Sequence, residues 1–250
     1  MMLDVDGVEF RYRSTSVLDD VSFSVERGEV LSILGPNGVG KTTLLKCING
    51  ILRARKGTVL VDEESLTSMP RPEVAKRVGY VAQRSDTGRV TVFESVLLGR
   101  KPYIRWDISK DDVRKAGEMI DRLGLAQISM KYVEEISGGE FQKVQIARAL
   151  VQEPKVLLLD EPTSNLDLCN QCRIMSSVRE MVRKNEISAI QTMHDLNLAN
   201  RYSDRFLLLK GGRIFAAGGV EVISPETIEE VYGIPVFVEI FRGQPMVIPA

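Results

Sequence analysis

Nine consecutive residues, Gly35-Pro-Asn-Gly-Val-Gly-Lys-Thr-Thr43, have the types and spacing needed to hold a chain of phosphates. Gly35, Gly38 and Gly40 let the backbone curl so that several N–H groups turn inward, with Pro36, Asn37 and Val39 spacing the turns. The resulting anion site is capped by a helix N-terminus. Lys41 is placed to reach the β- and γ-phosphates, and the Thr42 hydroxyl to bind Mg²⁺, with Thr43 closing the motif.

Two further stretches offer partner chemistry. Asp160 and Glu161 end an apolar run, Val156 to Leu159, where a nucleotide-site carboxylate pair belongs, because ligands of such sheets bind beyond the carboxyl ends of the strands. Asp160 is expected to hold Mg²⁺, and Glu161 to polarise a water for in-line attack on a γ-phosphate. Ser137, Gly138 and Gly139 open another helix and offer a second anion-binding helix start, although on these residues alone a plain cap is the better reading. His194, the single histidine, follows a predicted strand. Cys169 and Cys172 have C-x-x-C spacing but no second ligand pair, so they read as small packing residues at a helix start.

The elements around these residues are those the motif demands. Val30 to Leu34 is a strand-like run before the loop, and Thr43 to Ile48 is a helical pattern after it. Upstream, Leu3 to Phe10 and Val17 to Val25 read as an antiparallel β layer. Gly57 to Val61 and Arg77 to Gln83 are strand-like, separated by a polar patch carrying Pro70 and Pro72. Helical spacing then takes over in Thr91 to Leu98, Ser109 to Leu123 and Glu140 to Val151. The sheet returns at Lys155 to Asp160, whose unbroken apolar core suits a strand buried on both faces. A helix over Leu166 to Lys184 and a strand over Ile187 to Met193 follow, and alternation of this kind implies a parallel sheet. Arg205 to Lys210 and Arg213 to Ala217 read as a hairpin, Pro225 to Tyr232 as a short helix, and Val236 to Phe241 as a strand. The fold class expected is α/β, a parallel-sheet core with an N-terminal antiparallel layer and an inserted helical subdomain at about 84–152. One domain over 1–250 is expected, ending in an extension over about 219–250.

Composition sets the remaining bounds. Lys plus Arg number 33 against 34 Asp plus Glu, so the net charge of −1 gives no marked field for nucleic acid, and none is expected as a partner. Three cysteines and no secretory signal suggest a reducing compartment and no structural disulfide. No apolar run approaches the roughly 20 residues that span a bilayer, so a membrane role would come through a partner.

Together these residues resemble one family, the nucleotide-binding subunits of ABC ATPases, over essentially the whole chain and in the family's order. Gly35 to Thr43 is similar to its Walker A loop in a P-loop NTPase core, and Val156 to Asp160 to its Walker B strand, with Glu161 as catalytic carboxylate. Ile136-Ser-Gly-Gly-Glu140 resembles the LSGGQ signature, with Ile for Leu and Glu for the last Gln. The resemblance implies that Tyr12 stacks on adenine, that Gln83 is the Q-loop residue helping to bind Mg²⁺ and reporting to a membrane partner, and that Ser164 to Asp167 is the D-loop. It further implies that His194 contacts the γ-phosphate, that ATP and Mg²⁺ are the cofactors, and that two copies pack head to tail with ATP between one Walker A loop and the other signature.

Thr91 to Tyr103 resembles the segment after the Q-loop in importers of iron-siderophores, haem and cobalamin, and Glu230 to Val236 with the Pro-Met-Val-Ile-Pro249 tail resembles the C-terminal extension of the same subunits. The resemblance implies an ATPase on the cytoplasmic face of the membrane, held there by a polytopic permease and served indirectly by a substrate-binding protein. A soluble ABC ATPase, such as an iron-sulfur cluster scaffold subunit, stays open as the alternative. A small-molecule P-loop kinase is disfavoured because Ser137 to Gly139 and His194 would have no role in it.

Overall fold

The computed structural model describes residues 1–83 and 88–250. The chain opens with β1 (Leu3–Tyr12), β2 (Thr15–Val25) and β3 (Val30–Leu34), then α1 (Lys41–Ile48), β4 (Lys56–Val61), β5 (Glu64–Ser65), α2 (Arg71–Arg77) and β6 (Val78–Val81). Three helices follow, α3 (Val92–Leu97), α4 (Lys110–Arg122) and α5 (Gly138–Leu150), before β7 (Val156–Asp160), α6 (Leu168–Lys184), β8 (Ser188–Thr192) and α7 (Leu196–Tyr202). The chain closes with β9 (Arg205–Lys210), β10 (Arg213–Gly218), α8 (Pro225–Tyr232), β11 (Val236–Phe241) and β12 (Gln244–Pro249).

The central sheet has the order β10-β9-β3-β8-β7-β6, parallel except for the β9–β10 hairpin. Strands β3, β7 and β8 are buried at every residue because helices or the second sheet cover both faces, which is why their sequences do not alternate. The second sheet, β2-β1-β4-β5, is antiparallel; β4 and β5 join the N-terminal strands, extending the layer the sequence suggested. One core fills the space between the two sheets around α1, with Val8, Leu18, Leu44, Ile48, Leu158 and Ile190 fully buried.

Helices α3, α4 and α5 interrupt the sheet between β6 and β7, so the α/β fold carries the expected helical insert. Val92, Val96, Ala116, Ile120, Val144 and Ala147 make its core. Residues 84–87, where that insert was expected to begin, lie outside the described residues. Arg100 fastens it: almost wholly buried, it donates to Asp112 Oδ1 at 2.9 Å, Glu153 Oε2 at 3.0 Å and the Val151 carbonyl at 2.8 Å, and stacks on the Tyr103 ring. Charge-assisted bonds of this kind satisfy a cation that would otherwise be costly to bury.

Four elements went unread in the sequence, the two-residue β5 among them. The polar patch with Pro70 and Pro72 contains α2, whose early proline suits a helix start and whose Lys76 and Arg77 pair with Glu73 one turn back. Helix α7 is a short run begun by the Asp195 cap. Strand β12 carries two prolines at its edges and forms a two-stranded sheet with β11.

Candidate functional site

The loop from Gly35 to Gly40 connects β3 to α1 at the carboxyl edge of the central sheet. Gly35 has φ +140°, and a Cβ there would lie 2.6 Å from the Leu209 carbonyl oxygen; at Gly40, φ +114°, it would lie 3.0 Å from the Val17 carbonyl oxygen. The backbone therefore passes too close to β9 and β2 for any side chain. Lys41 is buried and folds back over the loop, donating from Nζ to the Gly35 carbonyl at 2.6 Å and the Pro36 carbonyl at 3.0 Å. Burial holds its pKa below the usual lysine range, opposed by the charges of Glu161 and Asp160. An ammonium resting on loop carbonyls at the start of α1 is a donor that a polyphosphate fits.

Asp160 ends β7 facing this loop. Its Oδ1 accepts from the Thr42 and Thr192 hydroxyls, both at 2.9 Å, and its Oδ2 from the Tyr80 hydroxyl at 3.2 Å. Burial, followed by the Asp160 charge, pushes the Tyr80 phenol well above its ordinary value, so it stays a neutral donor. Thr42 and Asp160 together present hard oxygen ligands of the type Mg²⁺ takes alongside phosphate oxygens. Thr192 also accepts from the Glu161 N–H at 2.9 Å, and Glu161 sits in the left-handed region at φ +50°. Its carboxylate is held by two exposed side chains. Gln83 Nε2 donates to Glu161 Oε2 at 2.5 Å, and His194 Nε2 is bonded to Glu161 Oε1. Lys41, Thr42, Asp160, Glu161, Gln83 and His194 thus converge from four separate segments.

The remaining expected residues stand apart. Ser137 caps α5 in a reciprocal capping box: its hydroxyl accepts from the Glu140 N–H at 3.3 Å, while Glu140 Oε2 accepts from the Ser137 N–H at 2.9 Å. The N–H groups of Gly138 and Gly139 are left without intrahelical partners by helix geometry. Ser137 and Gly138 are exposed, whereas Gly139 is buried against Asn170, where a Cβ would fall 2.8 Å from Cγ. Asp167 caps α6 and binds Asn170 through both carboxylate oxygens. Tyr12 is half-exposed on the antiparallel layer, edge-on to Phe10 with ring centroids 4.8 Å apart. Among the described residues no hydrogen bond joins Ser137 to Gly139, Asp167 or Tyr12 to the Gly35–Thr43 loop.

The sequence reading assigned no role to Tyr80, Thr192 or Tyr232, whose hydroxyl accepts from the Gly35 N–H at 2.9 Å. Thr192 carried no distinctive signal, because β8 holds two other polar residues, Ser188 and Gln191, that sit in the same buried strand. The cysteines form no disulfide, and no group of three metal-ligating side chains occurs among the described residues. Cys169 is exposed and not, as expected, at least half-buried, because the first turn of α6 faces solvent.

Residues 18–164 match the family model described as ABC transporter. Across its whole length the chain is 53% identical to an uncharacterised ABC transporter ATP-binding protein of Methanocaldococcus jannaschii, covering 98% of it. It is 36% identical to the cobalamin import ATP-binding protein BtuD of Halobacterium salinarum, the match covering 93% of this chain and 59% of that protein. A phosphonates import ATP-binding protein, PhnC 2 of Oceanobacillus iheyensis, is 35% identical over 93% of this chain and 96% of its own length. Among solved structures, an inward-facing ABC transporter assigned to the metal-chelate type superposes with a TM-score of 0.86 at 26% identity, covering 100% of this chain and 96% of that one. No described helix is long and apolar enough to cross a membrane. The loop, the carboxylate pair, the capped signature helix and these matches place the chain in the ABC transporter family, among the ATP-binding subunits that bind ATP with Mg²⁺ and hydrolyse it to drive transport.

Proposed function

We propose that the chain powers an importer of an iron chelate, haem or corrinoid, acting as a pair of identical subunits beneath a polytopic permease at the cytoplasmic face of the membrane, with a substrate-binding protein delivering the solute. Support for the substrate class comes from the cobalamin and metal-chelate names carried by a relative and a structural neighbour. The phosphonate importers among the relatives pull toward an oxyanion. The Thr91–Tyr103 segment adds less than its sequence suggested, because Gly99, Arg100 and Tyr103 are held by packing: a Cβ on Gly99 would meet the Arg148 carbonyl at 2.2 Å, and the Tyr103 hydroxyl donates to the Gln152 carbonyl.

The observation that carries the catalytic reading is the grip on Glu161, one carboxylate oxygen on Gln83 and the other on His194. In the reading proposed, the β- and γ-phosphates enter the Gly35–Thr43 loop and Lys41 swings from the loop carbonyls onto them. Thr42, Asp160 and Gln83 would hold Mg²⁺, which neutralises charge developing on the phosphate oxygens. Gln83 and His194 turn toward the nucleotide and release Glu161, which then accepts a proton from the attacking water. Tyr12 stacks on adenine, and Ser137 to Gly139 of a second copy, flanked by its Asp167, closes over the γ-phosphate. The Thr91–Tyr103 segment, near Gln83, receives the permease, and the tail over about 219–250 braces the core as part of the same domain.

Affinity capture from native membranes, with identification of the co-purified permease and its solute, tests this reading. A permease that moves a metal chelate, haem or corrinoid is the expected result. A phosphonate permease would overturn the substrate class, and capture of soluble partners alone would favour the iron-sulfur assembly alternative.

A further inference from the structure

The C-terminal part of the chain reaches the phosphate loop directly. Tyr232 ends α8, where Gly233, at φ +74°, closes the helix by donating to the Glu229 carbonyl. Ile228 and Val231 are buried and seat α8 in the core formed by Leu34, Phe206 and Leu208. From that seat the Tyr232 hydroxyl accepts the Gly35 N–H across 197 positions of sequence. Gly35 is thereby held on three sides, its N–H by Tyr232, its carbonyl by Lys41 Nζ, and its α-carbon against the Leu209 carbonyl, where no Cβ fits.

Two of those restraints differ in what nucleotide does to them. Lys41 must leave the Gly35 carbonyl to meet phosphates, and the Tyr232 bond then remains as the polar anchor of the residue where the loop begins. Burial pushes the phenol up to about 12, so it is uncharged and adds no repulsion to an anionic ligand. The same C-terminal segment holds the other side of the site: Val247 donates to Asn197 Oδ1 at 2.8 Å, and Asn197 Nδ2 donates back to the Val247 carbonyl at 3.2 Å. Asn197 lies in the first turn of α7, three residues after His194.

We propose that Tyr232 is a positioning residue for nucleotide binding: by accepting the Gly35 N–H it fixes where the phosphate loop starts, and so how tightly the loop holds ATP. The inference rests on reading Gly35 to Thr43 as the nucleotide loop. Removing the hydroxyl leaves a buried N–H without that acceptor, a cost the loop can relieve by turning the Gly35 peptide.

The test compares Tyr232→Phe with Val231→Ala in the full-length chain, by ATPase kinetics and by equilibrium binding of ATP and ADP. Tyr232→Phe is expected to raise the KM for ATP and the dissociation constants of both nucleotides about tenfold, with kcat within about twofold. Val231→Ala loosens the seat of α8 without touching Gly35, and is expected to lower thermal stability while leaving KM unchanged. An unchanged KM in Tyr232→Phe overturns the inference. An equal rise in KM in Val231→Ala also overturns it, because the effect would then belong to packing. Failure of the unaltered chain to bind either nucleotide would overturn the phosphate-loop reading itself, and the inference with it.

Discussion

The two helix starts proposed to meet phosphate are built differently. At the Gly35–Thr43 loop every strand-end neighbour contributes: β2 and β9 press on the glycines, β7 and β8 supply Asp160, Glu161 and Thr192, β6 supplies Tyr80, and α8 supplies Tyr232. At Ser137–Gly139 the polar contacts are local, one capping box closed on Glu140, with Ser137 and Gly138 facing solvent. A site enclosed by six elements has the contacts a phosphate cradle needs. An exposed, self-capped helix start leaves its free N–H groups open to a partner. The contrast supports the proposed head-to-tail pairing, in which the second start finds its ligand in another copy.

The enclosed site should give the largest effects. Glu161→Gln should lower the hydrolysis rate about a thousandfold while ATP binding persists, as read by phosphate release and nucleotide titration. Undiminished turnover would remove Glu161 from the mechanism. Thr192→Val leaves the Glu161 N–H and one Asp160 oxygen short of a partner, and should cost about 1–3 kcal/mol in denaturant unfolding together with a loss of kcat. At the exposed site, Ser137→Ala should cost only about 1 kcal/mol in stability. Its ATPase loss at limiting protein concentration should exceed that small destabilisation, because the altered surface serves a second copy.

The pH dependence of the two regions separates them further. Hydrogen bonds from the Ser137 side chain and then its backbone hold the Glu140 carboxyl below its ordinary value of 4.5. A depressed folded pKa means that the charged form favours the fold, so the capping box contributes at pH above that ordinary value and is lost as pH falls through the lower, folded one. Hydrogen exchange in the first turn of α5 should therefore rise on acidification, and Glu140→Gln should abolish the change. Smallest of all, Cys169→Ser combined with Cys172→Ser should leave ATP turnover intact. Burial pushes the third thiol, Cys47, up to about 12, which keeps it unreactive inside α1.

The enclosed site was largely legible in the sequence because glycine spacing and a strand-terminal carboxylate pair are local patterns, each fixed by the backbone it needs. Tyr80, Thr192 and Tyr232 were not legible, since each acts across a register or fold contact that no local spacing encodes: Thr192 meets Asp160 only because β7 and β8 pair at those residues. The antiparallel layer was half-visible for the same reason, its β4 strand being recruited by pairing with β1. Conversely, the Gly99, Arg100 and Tyr103 pattern that resembled a substrate-class marker is explained by close packing and a buried ion pair. The Ser-Gly-Gly start was readable as a cap, and only its place in the family's order of motifs gave it a second role.

The central claim is that one chain supplies half of each catalytic site. Sedimentation of Glu161→Gln with saturating ATP and Mg²⁺ tests it most directly. The account predicts a dimer that forms with ATP, dissociates when ADP replaces it, and is lost when Ser137→Arg is added. A monomer carrying bound ATP under the same conditions would contradict it.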